Sequence, residues 1–218
     1  MAINSYTTLQ TAIASQLKRS NLTNIADFIT LCEENISNGN GSIKDAPYYH
    51  DPLRVAEMID NRILTLESGD NTTTLPTGYL EMRGAPYISN YAPLEYRSPT
   101  EIGGITNTGI PGRPQYYSDI GNIIYFNKFA DADYNININF YKLLNLSDSN
   151  LTNNVLTNYP SIYLYGSLFH AASYIKNDGD MQKYFALFKA AIHGANSRAI
   201  TGRYKGISLI VRSDTPTP

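Results

Sequence analysis

The side chains best able to do chemistry are few. His50, His170 and His193 are the three histidines, and Cys32 is the only cysteine. No pair of histidines has the i, i+4 spacing with an intervening glutamate that sets two imidazoles on one zinc ion. His170 and His193 fall on neighbouring predicted helices and can meet there, but packing is the expected role of both. A single cysteine excludes a disulfide scaffold and a cysteine-based zinc site. Cys32 lies on the apolar face of a predicted helix, where a buried, inert thiol is expected. No GxxxxGK[ST] loop is present to cradle phosphates, and no GxSxG elbow to raise a nucleophilic serine. Gly39-x-Gly41 lacks the preceding strand and the third glycine of a dinucleotide fingerprint. Asn177-Asp178-Gly179-Asp180 has neither the twelve-residue spacing nor the closing glutamate of a calcium loop, so it reads as a turn.

Carboxylates are the remaining candidates, because glycan hydrolysis needs a pair. Glu33 and Glu34 are adjacent on a predicted helix and point to different sides. Glu57 and Glu67 come together only through a fold the local pattern does not dictate. With 19 acidic residues in the chain some pair is always close, so this remains a minor alternative. No metal and no cofactor is expected. Asn-x-Ser/Thr sequons at Asn21, Asn35, Asn40, Asn71, Asn145 and Asn150 follow from a composition with 22 asparagines, and without a signal they carry no meaning.

The elements that must position these groups run as helices, then strands, then helices. Leu9, Ile13 and Leu17 form a helical stripe over residues 7–19, with Ser5 as its N-cap. Ile25, Phe28, Ile29, Cys32 and Ile36 make the face of a second helix, which stops at Asn38-Gly39-Asn40-Gly41. Residues 37–52 read as an exposed loop, and 53–60 as helix by composition or strand by length. Residues 62–67 read as a short strand, with a turn at Pro76. Glycines 103, 104, 109 and 112 mark a long loop. Residues 116–127 form a hairpin turning at Asp119-Ile120-Gly121-Asn122. In 134–141, Ile136, Ile138 and Phe140 alternate with Asn135, Asn137 and Asn139, so one face is buried and one wet. Pro160 opens a helix carrying Ile162, Tyr165, Leu168, Phe169, Ala172 and Ile175. A tight link at 177–180 leads to another helix, with Met181, Phe185, Phe188 and Ile192 inward, ending near Arg198 or a few residues on. Residues 207–212 form a β-type segment without a partner in the local sequence. It either pairs with the central sheet or docks on another chain.

This pattern predicts an α+β fold: a helical bundle from N- and C-terminal helices, a central antiparallel β insertion of hairpins, and an extended C-terminal segment. The expected divisions are 1–60, 61–145, 146–200 and a docking tail at 201–218. The net charge is −2, which argues against general coating of nucleic acid. No apolar run approaches the roughly 18 residues of a membrane span, and MAINSYTTLQ has no secretory-signal pattern. A protein made in the cytosol is expected.

Charge is uneven along the chain. Residues 1–60 carry 4 basic and 7 acidic side chains, 61–159 carry 6 and 9, and 160–218 carry 7 and 3. Lys183, Lys189, Arg198, Arg203, Lys205 and Arg212 follow one another with no acid between. They form either a solvated helix face and tail or a docking element for an acidic partner or a DNA-facing wall. The 18 tyrosines, including Tyr48-Tyr49, Tyr116-Tyr117 and the group Tyr159, Tyr163 and Tyr165, supply area suited to subunit contacts. AT-rich coding bias is the other source of such a composition.

The order of landmarks adds a resemblance. Tyr6-Thr7-Thr8-Leu9 opens the first helix, and Asn24-Ile25-Ala26-Asp27-Phe28-Ile29 with Glu33 follows. Thr74-Leu75-Pro76-Thr77-Gly78-Tyr79-Leu80-Glu81 turns into a strand, and Pro93-Leu94-Glu95-Tyr96 precedes Ser98-Pro99-Thr100-Glu101. Gly112-Arg113-Pro114-Gln115-Tyr116-Tyr117 leads into the hairpin, and Tyr159-Pro160-Ser161-Ile162-Tyr163-Leu164-Tyr165 starts a late helix. This series resembles the small head-to-tail adaptor (connector) proteins of tailed bacteriophages, especially podophage-like ones. The resemblance implies a non-enzymatic structural part of the virion. It implies a homo-oligomeric ring, twelve copies to match the portal protein, beneath the portal. Such a ring extends the channel for double-stranded DNA without sequence-specific binding and offers a surface to the tail or nozzle protein. It implies location at the head–tail interface, host cytoplasm during assembly, and no membrane. The family's C-terminal extension reaches the portal, which here implies Arg203, Tyr204, Lys205, Ile207, Leu209, Ile210, Val211 and Arg212 as docking residues. A tail-completion or stopper protein and, less so, a peptidoglycan-degrading glycan hydrolase are the alternatives.

Overall fold

A computed structural model describes residues 2–18, 22–40, 44, 47–106 and 110–204. Helix α1 (Tyr6–Leu17) begins at a capping box in which the Ser5 hydroxyl accepts the Thr8 amide and Thr8 Oγ1 accepts the Ser5 amide. Helix α2 (Ile25–Asn38) buries Phe28, Ile29, Cys32 and Ile36, as the spacing predicts, and with them Glu33 and Ser37. It ends at Gly39, where φ is +69° and a Cβ would press on Pro52 at 2.9 Å, so glycine is required there twice over.

The strands form two sheets. In the first, β8 (Tyr134–Lys142) is central. Strand β1 (Ile59–Leu66) pairs antiparallel along one side of it, from Ile59↔Tyr141 to Leu66↔Tyr134 without a register shift. Strands β3 (Tyr79–Met82) and β4 (Tyr87–Ile88) share its other side. The second sheet has the order β2 (Thr72–Thr74), β7 (Ile123–Phe126), β6 (Tyr116–Ile120), β5 (Glu95–Tyr96). The β6–β7 hairpin turns at Gly121, with φ +60°. Leu66, Ile124, Phe126, Ile136, Ile138 and Phe140 belong to one buried core of this region. The asparagines of β8 alternate outward, as expected.

After β8 the chain returns to helix: α4 (Asn154–Asn158), α5 (Pro160–Tyr174) and α6 (Asp178–Tyr204), while α3 (Pro99–Thr106) lies within the β region. Helix α5 is the axis of the body. Ile162, Tyr163, Leu164, Leu168, Phe169, Ala171 and Ala172 are buried, an almost all-round apolar helix surrounded by other elements. At Gly166 it touches both neighbours: a Cβ there would collide with Cys32 Sγ of α2 and lie 2.8 Å from Phe188 of α6.

The α+β fold agrees with the sequence pattern, with several corrections. The insertion is not wholly antiparallel, because β5 runs parallel to β6. Gly103 and Gly104 sit in α3 and not in a loop. Ser98 caps that helix by bonds with Glu101, and Ile102 is buried, so capping and packing outweigh glycine's poor helix propensity. Residues 53–60 resolve into a single 3-10 turn at Ala56–Met58 and the start of β1. The stretch 37–52 is not simply exposed, since Ser37 and His50 are buried and Asn40 bridges to His50. Helix α6 ends at Tyr204, a few residues past Arg198, as the pattern allows. The β-type segment 207–212 lies outside the described residues.

Candidate functional site

Helical body and sheets are joined by two polar clamps. Arg54, between α2 and β1, donates from Nε to Glu81 on β3 at 2.8 Å and from Nη1 to the carbonyls of Ser37 and Leu53 at 2.9 and 2.8 Å. Its guanidinium lies over the Tyr141 ring of β8, 5.3 Å from the centroid. Its amide donates to Asn196 Oδ1 of α6, and Asn196 Nδ2 donates to the Pro52 carbonyl. One residue thus fastens two helices to two strands. The second clamp is buried Glu33, whose Oε1 accepts the Leu146 amide and the Tyr163 hydroxyl, both at 2.9 Å. Tyr163 in turn accepts from Asn153 Nδ2 at 2.7 Å. Burial pushes the Glu33 carboxyl up to about 7, although both hydrogen bonds favour its ionised form. The clamp holds the exit from β8 against α2.

The histidines are structural in their contacts. Asn35 Nδ2 lies 2.9 Å from His170 Nε2 and hydrogen-bonds the ring. Burial, with His50 nearby, pulls His170 down to about 4. His50 places Nδ1 3.1 Å from the Asp51 carbonyl and packs edge-on against Phe188, and burial lowers its pKa also. His193 is exposed on α6 and shares with His50, Lys189 and Asn196 an open cavity of about 450 Å³. It is therefore His50, not His170, that shares a site with His193. Cys32 is fully buried and burial pushes its thiol far up, so it is inert as expected. Glu33 is buried and Glu34 exposed on the same helix. Glu57 and Glu67 flank the two ends of β1, an element roughly 26 Å long at 3.3 Å per residue, which keeps them from acting as a pair. Among the described residues no cluster of three or more His, Cys, Asp or Glu side chains is placed to hold a metal ion.

What the surface offers is contact area. Lys183, Lys189 and Arg198 stand exposed along α6, with Lys183 over the Tyr184 ring and Lys189 over the Tyr49 ring. The tyrosines singled out by composition lie mostly inward: Tyr117 and Tyr163 are buried, and Tyr48 packs on Phe169 and Phe185. Besides Tyr174 of α5, large apolar side chains face outward on the β region. Tyr91, Tyr96, Ile110 and Phe129 are exposed there, Arg113 stacks 4.1 Å from the Tyr91 centroid, and Gly112 bonds to the Phe129 carbonyl. Single-sequence reasoning cannot sort these tyrosines, because inward and outward ones share the same local context. The Glu33 clamp did leave a signal, a lone carboxylate within the apolar face of α2. Arg54 left none. Of the expected docking residues, Arg203 and Tyr204 close α6, while Lys205, Ile207, Leu209, Ile210, Val211 and Arg212 lie outside the described residues.

The aromatic side chains exposed on the β region are of the types enriched at protein–protein contacts. Among the described residues no helix is long and apolar enough to cross a membrane. Residues 4–207 match the SU10 adaptor protein family, and the chain belongs to that family. It is a bacteriophage adaptor protein, a structural component of the virion. No curated protein matches the chain.

Proposed function

We propose that this protein is the head-to-tail adaptor of a podophage-like tailed bacteriophage. Twelve copies form a ring beneath the portal protein, extend the DNA channel and give the tail or nozzle protein its attachment surface. Double-stranded DNA passes through without sequence-specific contact, in keeping with a net charge of −2 and the absence of a need to hold it. Subunits made in the host cytoplasm meet head-to-tail, through heterologous contacts that close on themselves. In this reading residues 1–60 and 146–200 build the ring body, 61–145 supply the β region, and 201–218 reach the portal. Arg203, Tyr204, Lys205, Ile207, Leu209, Ile210, Val211 and Arg212 make that contact.

The observation that carries the reading is the family match over residues 4–207, which covers the body, the β region and the start of the tail. The two clamps support it, because an adaptor must transmit position between neighbours above and below. The test is negative-stain imaging of the purified protein mixed with the portal ring of the same virus. An added tier of density below the portal is expected, and deletion of residues 203–218 abolishes it while leaving the circular-dichroism spectrum and melting transition in place. Portal rings that stay unchanged beside free protein overturn the portal assignment and move the chain to a tail-side position.

A further inference from the structure

Helices α2 and α6 each turn a face outward. On α2, Asp27, Leu31, Glu34 and Asn38 are exposed, and their spacing of i, i+4, i+7 and i+11 puts them on one side of the helix. On α6, Lys183, Leu187, Ala190, Gly194 and Arg198 are exposed and repeat that spacing with one further turn. Both helices pack their buried sides on α5, where Cys32 and Phe188 meet at Gly166. Because both outward faces stay exposed in the same copy, neither covers the other.

The two faces carry opposite charge. Helix α2 has no lysine or arginine, and its remaining carboxylate, Glu33, is committed inward to Leu146 and Tyr163. Helix α6 has no acid after Asp180. None of Asp27, Glu34, Lys183 and Arg198 takes part in an ion pair among the described residues. Lys142, which lines a cleft with Glu34, is paired with Asp60. Each face also exposes a leucine, Leu31 by 42% and Leu187 by 38%. Beyond Leu187 the surface of α6 is low, and a Cβ built at Gly194 meets nothing within 4 Å.

We infer that the α2 face of one copy docks on the α6 face of a second copy. Leu31 seats against Leu187 and the low surface at Ala190 and Gly194, and Asp27 and Glu34 stand opposite Lys183 and Arg198. A second copy is the occupant because the two halves of the match, acid beside leucine and base beside leucine, are both present in this chain. The leucines supply apolar area to remove from water. The charges fix which faces meet, since two α2 faces or two α6 faces repel. Each copy offers both halves, so the contact is heterologous and repeats from copy to copy until it closes. This assignment rests on the ring proposed above and names the contact between its subunits.

Charge reversals in the full chain, imaged on the portal ring of the same virus, test this. Asp27→Lys with Glu34→Lys makes both faces basic, and Lys183→Glu with Arg198→Glu makes both acidic. Neither variant alone adds the tier that the parent adds, and recovery falls at least about tenfold. An equimolar mixture restores recovery to within about twofold of the parent, because a ring of even copy number alternates the variants and pairs every contact. Restoration on mixing separates lost contact from lost folding. Gly194→Leu keeps every charge and enters open space in its own chain. It lowers the tier while its melting transition holds or rises. A tier of parental strength from either reversal variant, or a mixture no better than its components, overturns the contact and leaves the ring reading standing. A parent that adds no tier overturns the ring reading and this contact with it.

Discussion

The helical body and the β region bury their side chains differently. Each buries two aromatic rings fully, Phe126 and Phe140 in the β region, Tyr163 and Phe188 in the one large core that α1, α2, α5 and α6 form in the body. The body also encloses ionisable groups, Glu33 and the half-buried His170. The β region divides itself between two sheets, several of whose strands have only two to four residues. It leaves Tyr87, Tyr91, Tyr96, Ile110 and Phe129 exposed. The buried ionisable groups thus belong to the helical body, whereas the β region is built from short strands.

Charge burial gives the largest expected effect. Glu33 has a folded pKa of about 7 against an ordinary 4.5. Between those values the folded state holds more protons than the unfolded one, so stability is greatest below 4.5 and falls as pH rises through 7, by about 3 kcal/mol. His170 acts in the opposite sense. Its folded pKa of about 4 against 6.5 means the unfolded state takes up more protons there, so stability falls as pH drops through that window. The two slopes oppose each other between 4.5 and 6.5. Urea unfolding across pH 4.5–8 separates them: Glu33→Gln leaves stability rising with pH to about 6.5, and His170→Gln leaves it falling to about 7. Identical profiles in both variants and the parent break the claim that the body's buried groups set the pH response.

Packing sharpens the contrast with one substitution made in two places. Gly166→Ala forces a Cβ onto Cys32 and Phe188. Overpacking costs up to about 3 kcal/mol, offset by about 1 kcal/mol of helix propensity, for a net loss of about 2 kcal/mol. Gly103→Ala in α3 meets nothing within 4 Å and has no positive φ, so it stabilises by about 0.5–1 kcal/mol. Denaturation midpoints that move the same way in both variants defeat the comparison.

The smallest stability effects belong to the exposed apolar side chains of the β region. Tyr96→Ser and Ile110→Ser change unfolding free energy by less than about 0.5 kcal/mol, and under the proposed ring assembly they lower recovery of the oligomer in sedimentation. Loss of folding in either variant makes these side chains structural and removes the distinction.

Much of this was legible locally. The Ser5 cap, the stop at Gly39, the 116–127 hairpin and the alternation in β8 each depend on a few adjacent residues, and each stands as the pattern implies. Readings failed where distant groups decide. Gly103 and Gly104 are helical because Ile102 finds a core and Glu101 a cap. Strand β1 begins at Ile59 because β8 extends to Tyr141 to meet it. The inward turn of Tyr163 depends on Glu33, 130 residues away, and that of Tyr117 on its sheet.

By itself the sequence determined the order of helices and strands, their caps and turns, and the landmarks that place the chain among phage adaptors, because periodicity and capping are local properties of the backbone. Only the tertiary structure decided that Glu33 and Arg54 fasten the body to the sheets and which tyrosines are core. Those outcomes depend on desolvation and pairing between residues far apart in the chain, and no local pattern encodes which distant partner arrives.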